Sequence, residues 1–170
     1  MTKYVVLFRG INVGGHNKLP MKPLVAMLEK HGFVNVASYI QTGNIVLDAK
    51  TDPTSVIKVL VEQHFKLMPQ VMVLTGEEFI NISDANPYSN EEGKLVHCYI
   101  CSQKSALNID KVNKYQSSSE QYTLSDRTLY LYAPEGIGRS KFVSNMESCL
   151  GVAATGRNLN TMNKIVNLID

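Results

Sequence analysis

The hydrophobic period of this chain changes repeatedly between residues 4 and 74, and the order of those changes limits the fold more than any single motif does. Tyr4–Phe8 is apolar and rich in β-branched residues, the pattern of a strand buried on both faces. Pro20 and Pro23 flank a helix start, and Leu24, Met27, Leu28 and Phe33 follow at helical spacing, with Gly32 as the stop. Val36–Ile40 and Ile45–Leu47 read as two strands joined around Thr42-Gly43-Asn44, where glycine and asparagine tolerate the positive φ of a tight turn. Asp52-Pro53 opens a second helix with Val56, Ile57, Leu60, Val61 and Phe65 on its apolar side, and Met68-Pro69 ends it before a strand at Gln70–Leu74. The resulting order, β-α-β-β-α-β, is the split arrangement of ferredoxin-like folds.

The second half echoes the first. A short helix near Gly76–Ile82 and a polar loop through Asn86-Pro87-Tyr88 lead to a strand at Leu95–Cys101. A weak helix around Ala106–Tyr115 precedes a hairpin of Gln121–Leu124 and Thr128–Tyr132, turned by Ser125-Asp126-Arg127. A helix at Ser140–Leu150 is closed by Gly151, and a last helix covers Thr161–Ile169. The pattern predicts an α+β protein of two ferredoxin-like subdomains with antiparallel sheets, the second a β-α-β-β-α variant with extra helices. The expected divisions are residues 1–75, a connecting helix and loop at 76–93, and 94–170 with the C-terminal helix.

Composition supports a folded chain. Of 170 residues, 44% are hydrophobic and 19% charged, an ordinary globular balance. No apolar run approaches the roughly 20 residues a membrane helix needs, and Tyr4–Phe8 is too short for a signal-peptide core, so a cytoplasmic location is expected. The three cysteines are too few for a disulfide framework. Cys98 and Cys101 form a lone CxxC, but in a β-prone stretch where residues three apart face opposite ways. They read as small buried hydrophobes. Net charge is +2, which excludes a strongly basic nucleic-acid binder. Residues 1–50 hold six Lys/Arg against two Asp/Glu, whereas residues 51–100 hold three against seven.

Gly10 and Gly15 have four residues between them as in a phosphate-binding P-loop, but His16 and Asn17 occupy the Lys and Ser/Thr positions. Lys18 arrives two residues late and the helix starts too far on to aim its amides at a phosphate, so the loop is not a P-loop. The arginines are more informative. Three of four touch a glycine, in Arg9-Gly10, Gly138-Arg139 and Gly156-Arg157, and the last two are read as opening helices. Glycine lets backbone amides approach an anion, and the guanidinium fork binds carboxylate or phosphate in bidentate fashion. The candidate anion site therefore comprises Arg9, Gly10, Asn12, Gly14, Gly15 and Lys18 on the first loop. Gln41 and Asn44 on the hairpin join it, with Gly138, Arg139, Lys141, Arg157 and Asn158 from the second half.

No HExxH, GxSxG or paired-carboxylate motif assigns a catalytic residue, and no pattern calls for a metal or a cofactor. His16 in the glycine loop and Tyr39 at the hairpin are the acid–base candidates. His31, His64 and His97 read as structural or solvated. Tyrosines such as Tyr130 and Tyr132 fit half-buried strand packing better than base stacking.

Five blocks resemble a known family. RGINVGGHNKLPM, GFVNVASYIQTGNIVL, NPY, YAPEGIGRSKF and TGRNLNTMNKI are similar to the signature blocks of the domain of unknown function 1697 (DUF1697) family, fall in its order and span nearly the whole chain. Tyr88 and Leu159 replace the Phe and Trp common there. The resemblance implies two ferredoxin-like subdomains in a bacterial cytosolic protein, and supplies no activity. The residues themselves point to binding of an anion: a nucleotide, a phosphorylated metabolite or single-stranded nucleic acid. An enzyme acting on a phosphorylated or carboxylated small substrate is the alternative, and a protein–protein interaction module the second. No membrane partner is expected.

Overall fold

The computed structural model describes residues 1–170. The chain divides into two compact units, Met1–Asn81 with Asn163–Asp170, and Ile82–Met162. The first unit contains β1 (Thr2–Arg9), α1 (Met21–Lys30), β2 (Val34–Tyr39), β3 (Asn44–Ala49), α2 (Thr54–Phe65), β4 (Gln70–Thr75) and most of α3 (Gly76–Asp84). Its sheet has the order β2-β3-β1-β4, antiparallel throughout, as a ferredoxin-like unit requires.

The buried run Val5-Val6-Leu7-Phe8 places β1 at the centre, with Val5 opposite Val46 of β3 on one side and Leu74 of β4 on the other. On one face Val6, Phe8, Ile45 and Leu47 pack with Leu24 and Leu28 of α1 and Ile57 and Val61 of α2. Removing a fully buried leucine from such a core costs about 2–5 kcal/mol. Asp52 starts α2 by accepting from the Thr54 hydroxyl and amide, and these bonds hold its carboxyl below the usual range. A bulge in β2 aims Asn35 (φ 52°) at Asp48, whose carboxyl is held low by that amide and by Lys3 at 3.0 Å.

The second unit contains β5 (Val96–Cys101), α4 (Ile109–Tyr115), β6 (Gln121–Ser125), β7 (Thr128–Tyr132), α5 (Lys141–Ser144), α6 (Met146–Leu150) and β8 (Ala154–Asn158). Its sheet order, β6-β7-β5-β8, repeats that of the first, again antiparallel. The expected β-α-β-β-α pattern is therefore one strand short. The missed strand, Ala-Thr-Gly-Arg-Asn, lies at a sheet edge and buries only Ala154 and Thr155, so it carries no period-two signal. Gly156 belongs there for a steric reason, since a Cβ would stand 2.8 Å from the Tyr99 ring.

Two helix boundaries also move. The helix expected at Ser140–Leu150 breaks at Asn145, whose side-chain amide donates to the carbonyl of Lys141. The last helix, α7 (Leu159–Ile169), starts earlier than Thr161 because Asn158 Oδ1 accepts from the Thr161 amide. Its residues Asn163 onward group with the first unit rather than with the C-terminal half. Cys101, Leu129, Leu131, Phe142, Cys149 and Leu150 form the second core. No helix is long and apolar enough to cross a membrane.

Candidate anion-binding cleft

The glycine loop after β1 folds into a small turn in which the His16 amide donates to the carbonyl of Val13. Gly10, Gly14 and Gly15 all have positive φ, as do Asn12 and Asn17, so the loop's glycines serve backbone conformation first. Asn12 is a three-way clasp. Its side-chain amide donates to the carbonyls of Leu19 (2.9 Å) and Gln41 (2.7 Å), and its oxygen accepts from the Leu19 amide (2.8 Å). These bonds bring Gly15, Lys18 and Gln41 together around a shallow pocket of about 410 Å³. Asn44 does not face that pocket with its amide, which donates to Tyr39 O and Thr42 Oγ1 inside the hairpin turn. Arg9 points along the sheet, with Nη1 on Gln70 Oε1 at 2.9 Å.

The larger cavity, about 780 Å³, lies in the second unit between the end of α4 and the segment before α5. Three of the expected residues, Gly138, Arg139 and Lys141, line it together. Sequence reasoning did not find the residues that line it with them: Lys114, Ser117, Ser119 and Glu120 from the segment at the end of α4, and Glu135 from their own segment. The signal available was the run Gln116-Ser-Ser-Ser-Glu120, a dense hydroxyl cluster between a helix and a strand. Its spacing matches no motif, so only the fold brings it opposite Arg139.

Glu120 organises this wall. Its side chain is 7% exposed, and it accepts from the Ser117 amide at 2.8 Å and from Ser140 Oγ at 2.5 Å. Gln116 closes the loop by donating to the Glu120 carbonyl. Ser140 in turn accepts from the Val143 amide and so caps α5. Glu135 is exposed, and its Oε2 accepts from Ser119 Oγ at 2.7 Å, which lies 3.2 Å from Ser117 Oγ. Lys114 rests over the Tyr115 ring at 5.3 Å.

Arg157 and Asn158 lie elsewhere in the second unit. The Gly156-Arg157 pair falls inside β8 and opens no helix, which corrects the expected junction. Arg157 stands opposite Cys98 of β5, its Nη1 on the Gly156 carbonyl, and burial pushes its pKa down to about 10, so it remains a cation at neutral pH. The CxxC thiols are buried, and burial pushes Cys98 up to about 12. A thiol so protonated is a poor nucleophile. His97 is buried too, with Nε2 unpartnered, and burial holds its pKa below the ordinary value.

Each unit is thus a complete ferredoxin-like α+β module, and the second carries a cleft with both cations and carboxylates on its walls. The chain belongs to the family described as protein of unknown function (DUF1697), which matches residues 1–130. A solved structure, that of the conserved bacterial protein SP0830 from Streptococcus pneumoniae, is similar over 99% of both chains with a TM-score of 0.75. At 21% identity that likeness speaks for the fold. No curated protein matches this chain.

Proposed function

We propose that the second unit binds an anionic small molecule in the cleft lined by Lys114, Arg139 and Lys141. The observation that supports this is the placement of three cations from two chain segments around one cavity of about 780 Å³, a volume typical of small-molecule sites. None of the three is ion-paired with Glu120 or Glu135; Glu120 instead accepts from the Ser117 amide and Ser140 Oγ, and Glu135 from Ser119 Oγ. Unneutralised cations facing a cavity attract a dianion, and Arg139 adds a bidentate fork. Gly136 and Gly138 keep the floor of the cleft free of side chains. The first-unit pocket offers Lys18 as its sole cation and is the weaker candidate.

A thermal-shift screen with inorganic phosphate, sugar phosphates, nucleotides and a short single-stranded oligonucleotide tests the reading. At least one anion should raise the melting temperature, the rise should shrink with added salt, and the double variant R139A/K141A should abolish it. A wild-type protein indifferent to every anion, or a double variant that responds as wild type does, would refute the assignment. A response confined to the oligonucleotide, with a steep salt slope, would point to a polyanion instead.

A further inference from the structure

Resting on that reading, we propose that the ligand of the second-unit cleft is a phosphorylated polyol, a sugar phosphate in chemical class, with Glu135 and Ser119, which line the same cavity as the cations, receiving its hydroxyls. A cleft built only for an anion has no use for carboxylates, which repel the ligand. Here two of them line the same cavity as three cations, yet the two signs do not cancel by pairing. Glu120 is closed off from a ligand, since one oxygen holds the Ser117 amide and the other Ser140 Oγ. Glu135 is different. It is exposed, its Oε2 holds Ser119 Oγ at 2.7 Å, and its Oε1 retains full accepting capacity.

An ionised carboxylate accepts and cannot donate, so what it selects is a donor. Ser119 gives its one proton to Glu135, and Ser117, 3.2 Å away, then donates to Ser119 Oγ, so this chain of oxygens offers acceptor lone pairs to the hydroxyl protons of a ligand. A ligand that satisfies both the cations and these acceptors carries a phosphate together with hydroxyls. A nucleotide base fits less well. Tyr115 is the cleft's one aromatic side chain; it packs against the second core and Lys114 lies over its ring at 5.3 Å, so a base would have to displace Lys114 to stack there.

Titration calorimetry on the full chain separates this inference from the reading beneath it. The probes are inorganic phosphate, ribose 5-phosphate, unphosphorylated ribose and adenosine monophosphate. Ribose 5-phosphate should bind about tenfold or more tightly than inorganic phosphate, in line with one or two added hydrogen bonds to a charged acceptor. Glu135→Gln should remove most of that advantage while leaving phosphate as tight or tighter, and Arg139→Ala should weaken both. Glu135 is exposed, so its variant keeps the fold, and an unchanged urea midpoint verifies this. If phosphate binds and ribose 5-phosphate binds no tighter, or Glu135→Gln leaves the ratio unaltered, the polyol inference falls and the anion site stands. If adenosine monophosphate outbinds ribose 5-phosphate tenfold, a base is being read and the inference falls. If no phosphate compound binds, both fall.

Discussion

Replacing Asn12 should loosen the glycine loop by an amount that its three hydrogen bonds set. Asn12 donates to Leu19 O and Gln41 O and accepts from Leu19 N, all between 2.7 and 2.9 Å. A net intramolecular hydrogen bond contributes about 0.5–1.5 kcal/mol, less where water can replace the lost partner. The site is half-buried, so the lower half of that range applies and Asn12→Ala loses about 2 kcal/mol from bonding. Asn12 also holds φ at 55°, which alanine tolerates less well than asparagine by about 1 kcal/mol. The total is about 3 kcal/mol. With a urea m-value of about 2 kcal/mol/M, the unfolding midpoint should fall by about 1.5 M. Asn12→Asp is the sharper variant. It keeps the acceptor for Leu19 N and tolerates the backbone, but turns an oxygen toward two carbonyls. At neutral pH it should destabilise at least as much as alanine. Urea titration followed by far-UV circular dichroism measures both. An alanine variant within about 0.5 kcal/mol of wild type, or an aspartate variant as stable as wild type, refutes the clasp.

Two further perturbations test other parts of the fold. Gly43 holds φ at 92°, and a Cβ there would stand 2.7 Å from Ile11 Cδ1 and 2.8 Å from Phe8 Cβ. Gly43→Ala should cost about 2–4 kcal/mol by combining overpacking with an unfavourable φ, and a urea midpoint unchanged from wild type would contradict the close approach. Burial keeps His97 neutral in the folded chain, so the unfolded chain takes up a proton that the folded one refuses. Its contribution is complete above the unfolded pKa of about 6.5 and is lost as pH falls toward its lower folded value, with a slope of at most about 1.4 kcal/mol per pH unit. Comparing urea midpoints at pH 7.5 and 5.5 for wild type and His97→Gln checks this, since the variant should lack that part of the acid sensitivity. The carboxylates Asp48 and Asp52 do not confuse the window, because both are held below the usual range and lose their contribution at lower pH.

The first unit was legible because each of its strands carries its own pattern: Val5–Phe8 is a continuous apolar run, and Thr42-Gly43-Asn44 punctuates the hairpin. The strand Ala154–Asn158 was not, because an edge strand with two buried residues leaves no hydrophobic signature, and its Gly-Arg pair imitates a helix start. The same pair misled the reading of Arg157, whose side chain lies against the sheet beside Cys98. Gly138, Arg139 and Lys141 share one cavity wall because they are close in sequence. That Glu135, Ser117 and Ser119 line the same cavity had no sequence signal, for the opposite reason. Polar loop residues look alike until the fold sets one loop against another, and only the cavity distinguishes a serine that lines a wall from one that faces water.

The three cysteines, all buried, have a use that their burial creates. All three are shielded, and all three belong to the Ile82–Met162 unit. An alkylating reagent therefore meets no accessible thiol in the native chain and gains one whenever that unit opens. The rate of mass gain under native conditions reads the opening of the cleft-bearing half alone, with the other half silent. A ligand held in the cleft would slow that clock without any label having been introduced.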